Sequence, residues 1–393
     1  MRHLLQKYAF GARPALTGPS DRVRRWLAPA AKTLILVLTL AALADAVLGA
    51  PAVGAAWQAL VTRTLADGPA RWLLLAAAAL VPLNWGLEAG KWQALARRVE
   101  PIGFGAAVRG VLLGLTLGFS TPNRVGDYAA RVLLLRSRRR LTAVGAVFLG
   151  RFAQLVVTVA AGSVGAGYFL ITHYLAGFPL VQVGVVAGLL AVNAGLLSVL
   201  FAGGRLAATL ADVPGARRWP VVGRWTRGAR ILGAYSAREL AGVLGWSVAR
   251  YVVFSGQLGL LLAAFGVQCS VGEGALAIAG TFLLKSLVPS LSALTDIGAR
   301  ELSAVHFFGL LGQPALPVLT ASLALWLLNI AAPSAAGLVL VPRIRLWLAR
   351  TPRRGPAHRP KGRTAHGPAP VPALHSVPAG TAEAAGAGGG AVE

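Results

Sequence analysis

Ser120-Thr121-Pro122-Asn123-Arg124-Val125-Gly126-Asp127, closing at Arg131, sets one acid and two guanidinium groups inside a very apolar chain. Hydrophobic residues make up 56% of the 393 positions and charged residues 13%. An ionisable side chain among apolar runs is costly in a bilayer, so it needs a reason. The preceding residues, Val111 to Phe119, are mostly apolar, which places Arg124 and Asp127 deep rather than at a rim. A related cluster recurs near the far end as Thr295-Asp296-Ile297-Gly298-Ala299-Arg300-Glu301. Two charged helix starts in such a chain suggest a paired site for something charged.

Outward from these clusters the chain reads as a polytopic, all-α membrane protein. Mean hydropathy is +0.65, and the apolar runs reach the ~20 residues that a spanning helix needs. A β-barrel would show short alternating segments, and none is visible. Full spans are expected at 31–49, 72–90, 141–168, 179–202, 239–265 and 314–341. Two further apolar regions, 102–135 and 274–311, are interrupted by Pro, Gly and charges. Each reads as two half-length helices meeting at a break.

Charge sets the orientation. Lys and Arg total 38 against 13 Asp and Glu, a net charge of +25. In a soluble chain this would suggest nucleic acid, but here the cations sit mainly in loops and tails and no nucleic-acid motif accompanies them. Residues 203–238 hold seven Arg and 131–140 hold five, while 171–178 and 266–272 hold none. Cationic short loops stay in the cytoplasm, so both termini, 91–101, 136–140 and 203–238 are expected inside and the connector 50–71 outside. The broken region 102–135 then enters from inside and 274–311 from outside. About six full spans and two re-entrant hairpins thus form an inverted repeat, an architecture common among secondary transporters. The expected division is a basic N-terminus at 1–30 ending in an uncleaved signal anchor, a membrane domain at 31–345, and a disordered basic tail at 346–393.

The first cluster carries recognisable chemistry. Thr121 followed by Pro122 reads as an N-cap with proline at the first helical position. Arg124, Asp127 and Arg131 then share one helical face, where Asp127 can bridge both arginines. Free backbone N–H groups at a helix start, with Arg124 beside them, suit a phosphate. Arg131, like Arg136, reads more readily as snorkelling to the cytoplasm. In the second cluster Asp296 can cap a helix and pair with Arg300, leaving Glu301 to carry a proton or bind a cation. Lys285 lies in an apolar stretch and needs a cavity or a partner across the repeat, such as Glu301 or Asp127. The alternative is that these residues only hold the hairpin together. Arg151, Arg250, Asn84 and Glu88 are further cavity candidates, and Trp85 and Trp92 read as interfacial anchors.

Other chemistries lack a signature. Cys269 is the single cysteine, which excludes an intramolecular disulfide and a Cys-based metal site. His306 lies near Glu301 without a third ligand. There is no P-loop, H-E-x-x-H or G-x-S-x-G, and no cofactor or catalytic residue is expected.

Three stretches resemble the flippase-like membrane family that includes the transmembrane region of lysylphosphatidylglycerol synthases. They are Leu83-Asn84-Trp85-Gly86-Leu87-Glu88 with Lys91-Trp92, then Thr121 to Asp127 with Arg131, similar to P-x-R-x-G-[E/D]-x-x-x-R, and Pro289 to Glu301. The likeness spans roughly residues 30–345, and the third stretch has Ser290-Leu291-Ser292-Ala293 where the family commonly carries a double glycine. The resemblance implies a bacterial inner-membrane protein that moves an anionic or modified phospholipid, or a lipid-linked substrate, between leaflets. Its expected partners are lipid headgroups rather than nucleic acid. Full-length synthases add a soluble domain that transfers lysine to lipid. This chain continues into a basic tail instead, so aminoacyl transfer is not expected. A membrane enzyme that modifies a headgroup and a membrane partner for a separate synthase remain alternative readings.

Overall fold

The computed structural model describes residues 51–119, 121, 124–137, 140–212, 232–287 and 296–340. The expected span 31–49, the basic N-terminus, Pro122 and the tail lie outside the described residues. Among the described residues every regular element is helical: α1 (Pro51–Ala66), α2 (Gly68–Ala96), α3 (Phe104–Phe119), α4 (Val125–Leu133), α5 (Arg140–Phe169), α6 (Pro179–Asp212), α7 (Ala237–Ala264), α8 (Val271–Leu287), α9 (Asp296–Leu310), α10 (Ala315–Trp326) and α11 (Ala332–Leu338). One π turn, Leu170–Tyr174, extends α5, and another, Leu327–Ala331, joins α10 to α11.

Five stretches are long and apolar enough to cross a membrane: Gly68–Ala96, Thr142–Tyr174, Pro179–Arg205, Ala237–Ala264 and Ala315–Leu338. They coincide with five of the six spans read from hydropathy. The two broken regions also form as expected, α3 with α4 and α8 with α9, each pair packed together. One element was not anticipated. The connector 50–71 contains α1, whose Leu60 packs on the core below it. Asp67 ends this connector by capping α2, accepting from the Ala70 N–H at 3.0 Å, and proline follows in the first turn of the helix.

The central pair is α2 and α7, and it is antiparallel. Near the start of α2 the Ala77 carbonyl accepts from Gln257 Nε2 at 2.9 Å. Further along, Gly90 admits the Trp246 ring, which a Cβ would meet at 3.0 Å. At the far end Arg98 forks onto Glu239, with contacts of 2.8 and 2.6 Å. There Ser236 and Glu239 form a capping box that starts α7. Tyr235 donates to the Leu95 carbonyl at 3.0 Å, and burial pushes its hydroxyl up to about 12.

The packing maps onto itself when α2, α3, α4 and α5 are exchanged for α7, α8, α9 and the α10–α11 span. α5 lies against α8 as α11 lies against α3, and α2 touches α5 as α7 touches α10. Both cross-repeat contacts depend on glycine. A Cβ on Gly165 of α5 would stand 2.3 Å from the Leu276 carbonyl oxygen of α8. A Cβ on Gly337 of α11 would stand 2.7 Å from the Leu112 carbonyl oxygen of α3. Small residues let membrane helices approach this closely. Because the obstructing atoms at Gly165 are backbone, Gly165→Ala is expected to cost about 1–3 kcal/mol through overpacking. Gly184→Ala on α6, where a Cβ meets nothing within 4 Å, should leave the melting temperature in detergent unchanged. Equal melting of the two variants would contradict the close approach.

Two apolar cores follow from this repeat. One gathers Trp92, Leu95, Leu149, Leu200 and Leu240 around the first hairpin. The other gathers Phe169, Leu258, Leu261, Phe282, Phe308 and Leu325 around the second. α6 stands at the side, packs mainly on α5, and exposes Leu180, Val183, Leu190 and Val192, as a lipid-facing helix does.

Candidate functional site

The break between α3 and α4 positions the first charged group. α4 starts at Val125, later than the Thr121-Pro122 signature suggested. Arg124 occupies the N-cap position in the left-handed region, at φ 52° and ψ 33°, which non-glycine residues seldom adopt. Thr121 still serves the helix start, because its Oγ1 accepts from the Gly126 N–H at 2.8 Å while donating to the Leu117 carbonyl at 2.9 Å. Gly126 itself sits against the Leu117 carbonyl, where a Cβ would approach to 2.1 Å. This joint turns Asp127 toward α3, α5 and the central helices.

Asp127 is 3% exposed and is held from two sides. Arg131 Nε donates to Oδ1 at 2.9 Å, and Arg151 Nη2 of α5 donates to Oδ2. Arg131 then reaches across to Glu88 of α2, with Nη2 at 3.0 Å from Oε1. The other Glu88 oxygen faces Lys91 Nζ at 2.8 Å and Arg250 Nη1 of α7 at 3.5 Å. Lys91 also donates to Gln154 Oε1 at 3.3 Å. Aromatic rings back three of the guanidinium groups: Trp92 under Arg131 at 5.8 Å, Tyr128 under Arg151 at 5.2 Å and Trp85 under Arg250 at 4.9 Å.

These side chains surround a cavity of about 210 Å³ that α2, α3, α4, α5, α7 and the π turn through Ile330 all line. Lys91, Arg124, Arg131, Arg151 and Arg250 face two carboxylates, Glu88 and Asp127. The lining therefore carries a formal excess of three positive charges. Such an excess is expensive within a membrane protein unless an anion completes it.

The remaining expected site residues lie elsewhere. Arg300 and Glu301, each 5% exposed, join α9 to α10. Arg300 Nη2 meets Glu301 Oε1 at 2.5 Å, while its Nε donates to Ser322 Oγ and its Nη2 to the Ser322 carbonyl, both at 2.9 Å. Ser322 Oγ donates to Glu301 Oε1 at 3.0 Å. Glu301 is thus held through Oε1, because adjacent residues on α9 both turn toward Ser322, while its Oε2 is buried without a hydrogen-bond partner. Lys285 is half-buried near the end of α8 and does not line the cavity, nor do Arg300 and Glu301. Asp296 opens α9, and its expected pairing with Arg300 lies outside the described side chains.

Asn84 is fully buried and donates through Nδ2 to Asn329 Oδ1 at 2.6 Å, tying α2 to the π turn beside the cavity. Trp92 is 2% exposed and belongs to the core, so it is not an interfacial anchor. Lys91 and Gln154 were not among the cavity candidates read from the sequence, although Lys91 lies in a stretch that carried the resemblance. A signal for Lys91 was present, because Asn84, Glu88 and Lys91 recur at helical spacing on one face of an apolar span. Gln154 carries no comparable signal.

The chain matches the family described as the lysylphosphatidylglycerol synthase TM region over residues 26–337. It belongs to that family. No curated protein and no solved structure matches. As a member of the lysylphosphatidylglycerol synthase TM region family, it is a multi-pass membrane protein related to lipid modification or transport. Of the stretches that carried the resemblance, Leu83 to Trp92 and Thr121 to Arg131 meet at the cationic cavity.

Proposed function

We propose that the protein is a flippase that moves an anionic phospholipid, or a lipid-linked anion, between the leaflets of the bacterial inner membrane, with both termini in the cytoplasm. One observation carries the reading: the positive excess of the cavity lined by Lys91, Arg124, Arg131, Arg151 and Arg250. A phosphate group is an acceptor with delocalised negative charge, and arginine forks match its geometry. The headgroup sits between the first hairpin and the long helices α2, α5 and α7, and not at a site shared by the two charged helix starts. No described residue of α8 or α9 lines the cavity.

The fold supplies a route for movement. The hairpin α3–α4 enters beside the cavity, and its repeat counterpart α8–α9 enters from the opposite direction. Rocking of one repeat on the other would open the cavity to each leaflet in turn. The Arg300–Glu301–Ser322 clamp keeps α9 attached to α10 within its own repeat, whereas the Gly165 and Gly337 contacts cross between the repeats and are the surfaces that such a motion must shift.

Arg250 tests the reading because it lines the cavity from α7 at 3.5 Å from Glu88, which retains Lys91 and Arg131 without it. A charged hydrogen bond contributes about 1.5–3 kcal/mol, so Arg250→Gln should slow lipid transfer about 10–100-fold. The readout is a leaflet-resolved lipid assay in reconstituted vesicles. Equal rates for Arg250→Gln, Arg124→Ala and the unaltered protein would overturn the reading.

A further inference from the structure

We infer that the headgroup bound here is a phosphate carrying two or more negative charges, a phosphomonoester or a diphosphate, rather than a phosphodiester or an aminoacylated head. The inference rests on the proposed lipid reading and narrows its substrate class.

Charge is the first argument. The cavity lining holds five cations and two carboxylates. A phosphodiester offsets one of the three excess charges, whereas a diphosphate offsets most of them. A lysylated phosphatidylglycerol, with two ammonium groups on one phosphodiester, would add positive charge to a positive cavity.

The second argument concerns acceptors. An ammonium group needs carboxylate or carbonyl oxygens around it. Glu88 is already engaged by Lys91, Arg131 and Arg250, and Asp127 by Arg131 and Arg151. Gln154 Oε1 already accepts from Lys91. Donors show the opposite state. Trp85 Nε1, Arg151 Nε and Arg250 Nε, all on residues of the cavity wall, are buried without a hydrogen-bond acceptor, three donors against one acceptor of the wall, Glu88 Oε2, which accepts no hydrogen bond but is ion-paired with Lys91 and Arg250. Buried polar groups are nearly always paired, so the wall calls for oxygen acceptors, and a phosphate with several anionic oxygens provides them.

Size is the third. About 210 Å³ lies below the ~300–1,000 Å³ typical of pockets for drug-sized ligands. A compact phosphate or diphosphate fits that space, with its hydrocarbon chain outside among the helices.

The test is competition binding to the purified full-length protein in detergent. The probes are dihexanoyl phosphatidate, farnesyl diphosphate, dihexanoyl phosphatidylglycerol, lysyl-phosphatidylglycerol and inorganic diphosphate. The expected result is at least tenfold tighter binding of phosphatidate and farnesyl diphosphate than of either glycerol phosphodiester. A phosphomonoester loses its second proton near pH ~6, so phosphatidate should also tighten between pH 5 and pH 8 while phosphatidylglycerol does not. Arg250→Gln should weaken the diphosphate more than the phosphodiester. Equal or tighter binding of phosphatidylglycerol or its lysyl form overturns the inference and leaves the lipid reading standing. Inorganic diphosphate binding as tightly as the farnesyl form keeps the polyanionic head and overturns the lipid source. Failure of every probe to bind overturns both.

Discussion

Replacing Glu88 with glutamine is expected to destabilise the protein by about 3–5 kcal/mol, the usual cost of removing one partner from a buried ion pair. Glu88 is the meeting point of Lys91 at 2.8 Å, Arg131 at 3.0 Å and Arg250 at 3.5 Å. It is 6% exposed, and Lys91 is 2% exposed. Without the carboxylate, three cations from α2, α4 and α7 would be left close together with Asp127 as the remaining acid of the lining. The variant should melt well below the unaltered protein in detergent and should lose lipid transfer in vesicles. A second change separates charge from shape: Glu88→Gln with Lys91→Met removes one acid and one base, and should recover part of the lost stability. A Glu88→Gln protein with unaltered melting would show that the cations do not depend on this acid.

Gly126→Ala is the second large effect. The added methyl would lie 2.1 Å from the Leu117 carbonyl oxygen and 2.3 Å from its carbon, both backbone atoms of α3. Neither can rotate away, so the start of α4 must move off α3. Overpacking of this kind costs about 1–3 kcal/mol. The functional loss should be larger than the stability loss suggests. Asp127 follows Gly126 directly and orders Arg131 and Arg151, and a displacement near 1 Å at such a group can reduce a rate about 100-fold. Gly105→Ala is the control, since a Cβ there meets nothing within 4 Å. Lipid transfer measured on both should separate them, and normal transfer by Gly126→Ala would remove the hairpin joint from the mechanism.

The legible parts of the chain share a physical origin. Burial in lipid requires long uninterrupted apolar runs, so hydropathy located α2, α5, α6, α7 and the α10–α11 span within a few residues. Pro, Gly and charges inside an apolar region are incompatible with a smooth span, so the hairpins α3–α4 and α8–α9 were visible as breaks. α1 was hidden because it is neither long nor strongly apolar. The site was only half legible. Asp127 and Arg131 stood out because they lie close in sequence on one helical face. Glu88 ranked as a secondary candidate, and its central place depends on α2 running antiparallel to α7 and bringing Arg250 beside it. Glu301 read as a free acid, and what the sequence did not show is that Arg300 and Ser322 of α10 hold its Oε1 while Oε2 is buried without a hydrogen-bond partner.

By itself, the sequence determined that this is an all-α membrane protein with charged breaks in two hairpins, because the cost of exposing backbone and charge to lipid leaves its mark on local composition. Only the tertiary structure decided which charges meet. Residues 88, 91, 124, 127, 131, 151, 154 and 250 surround one cavity, while 300 and 301 close on 322. Ion pairing acts over a few ångströms in space, and the approach of α2, α4, α5 and α7 that creates those distances is set by glycine contacts and core packing that no local stretch of sequence encodes.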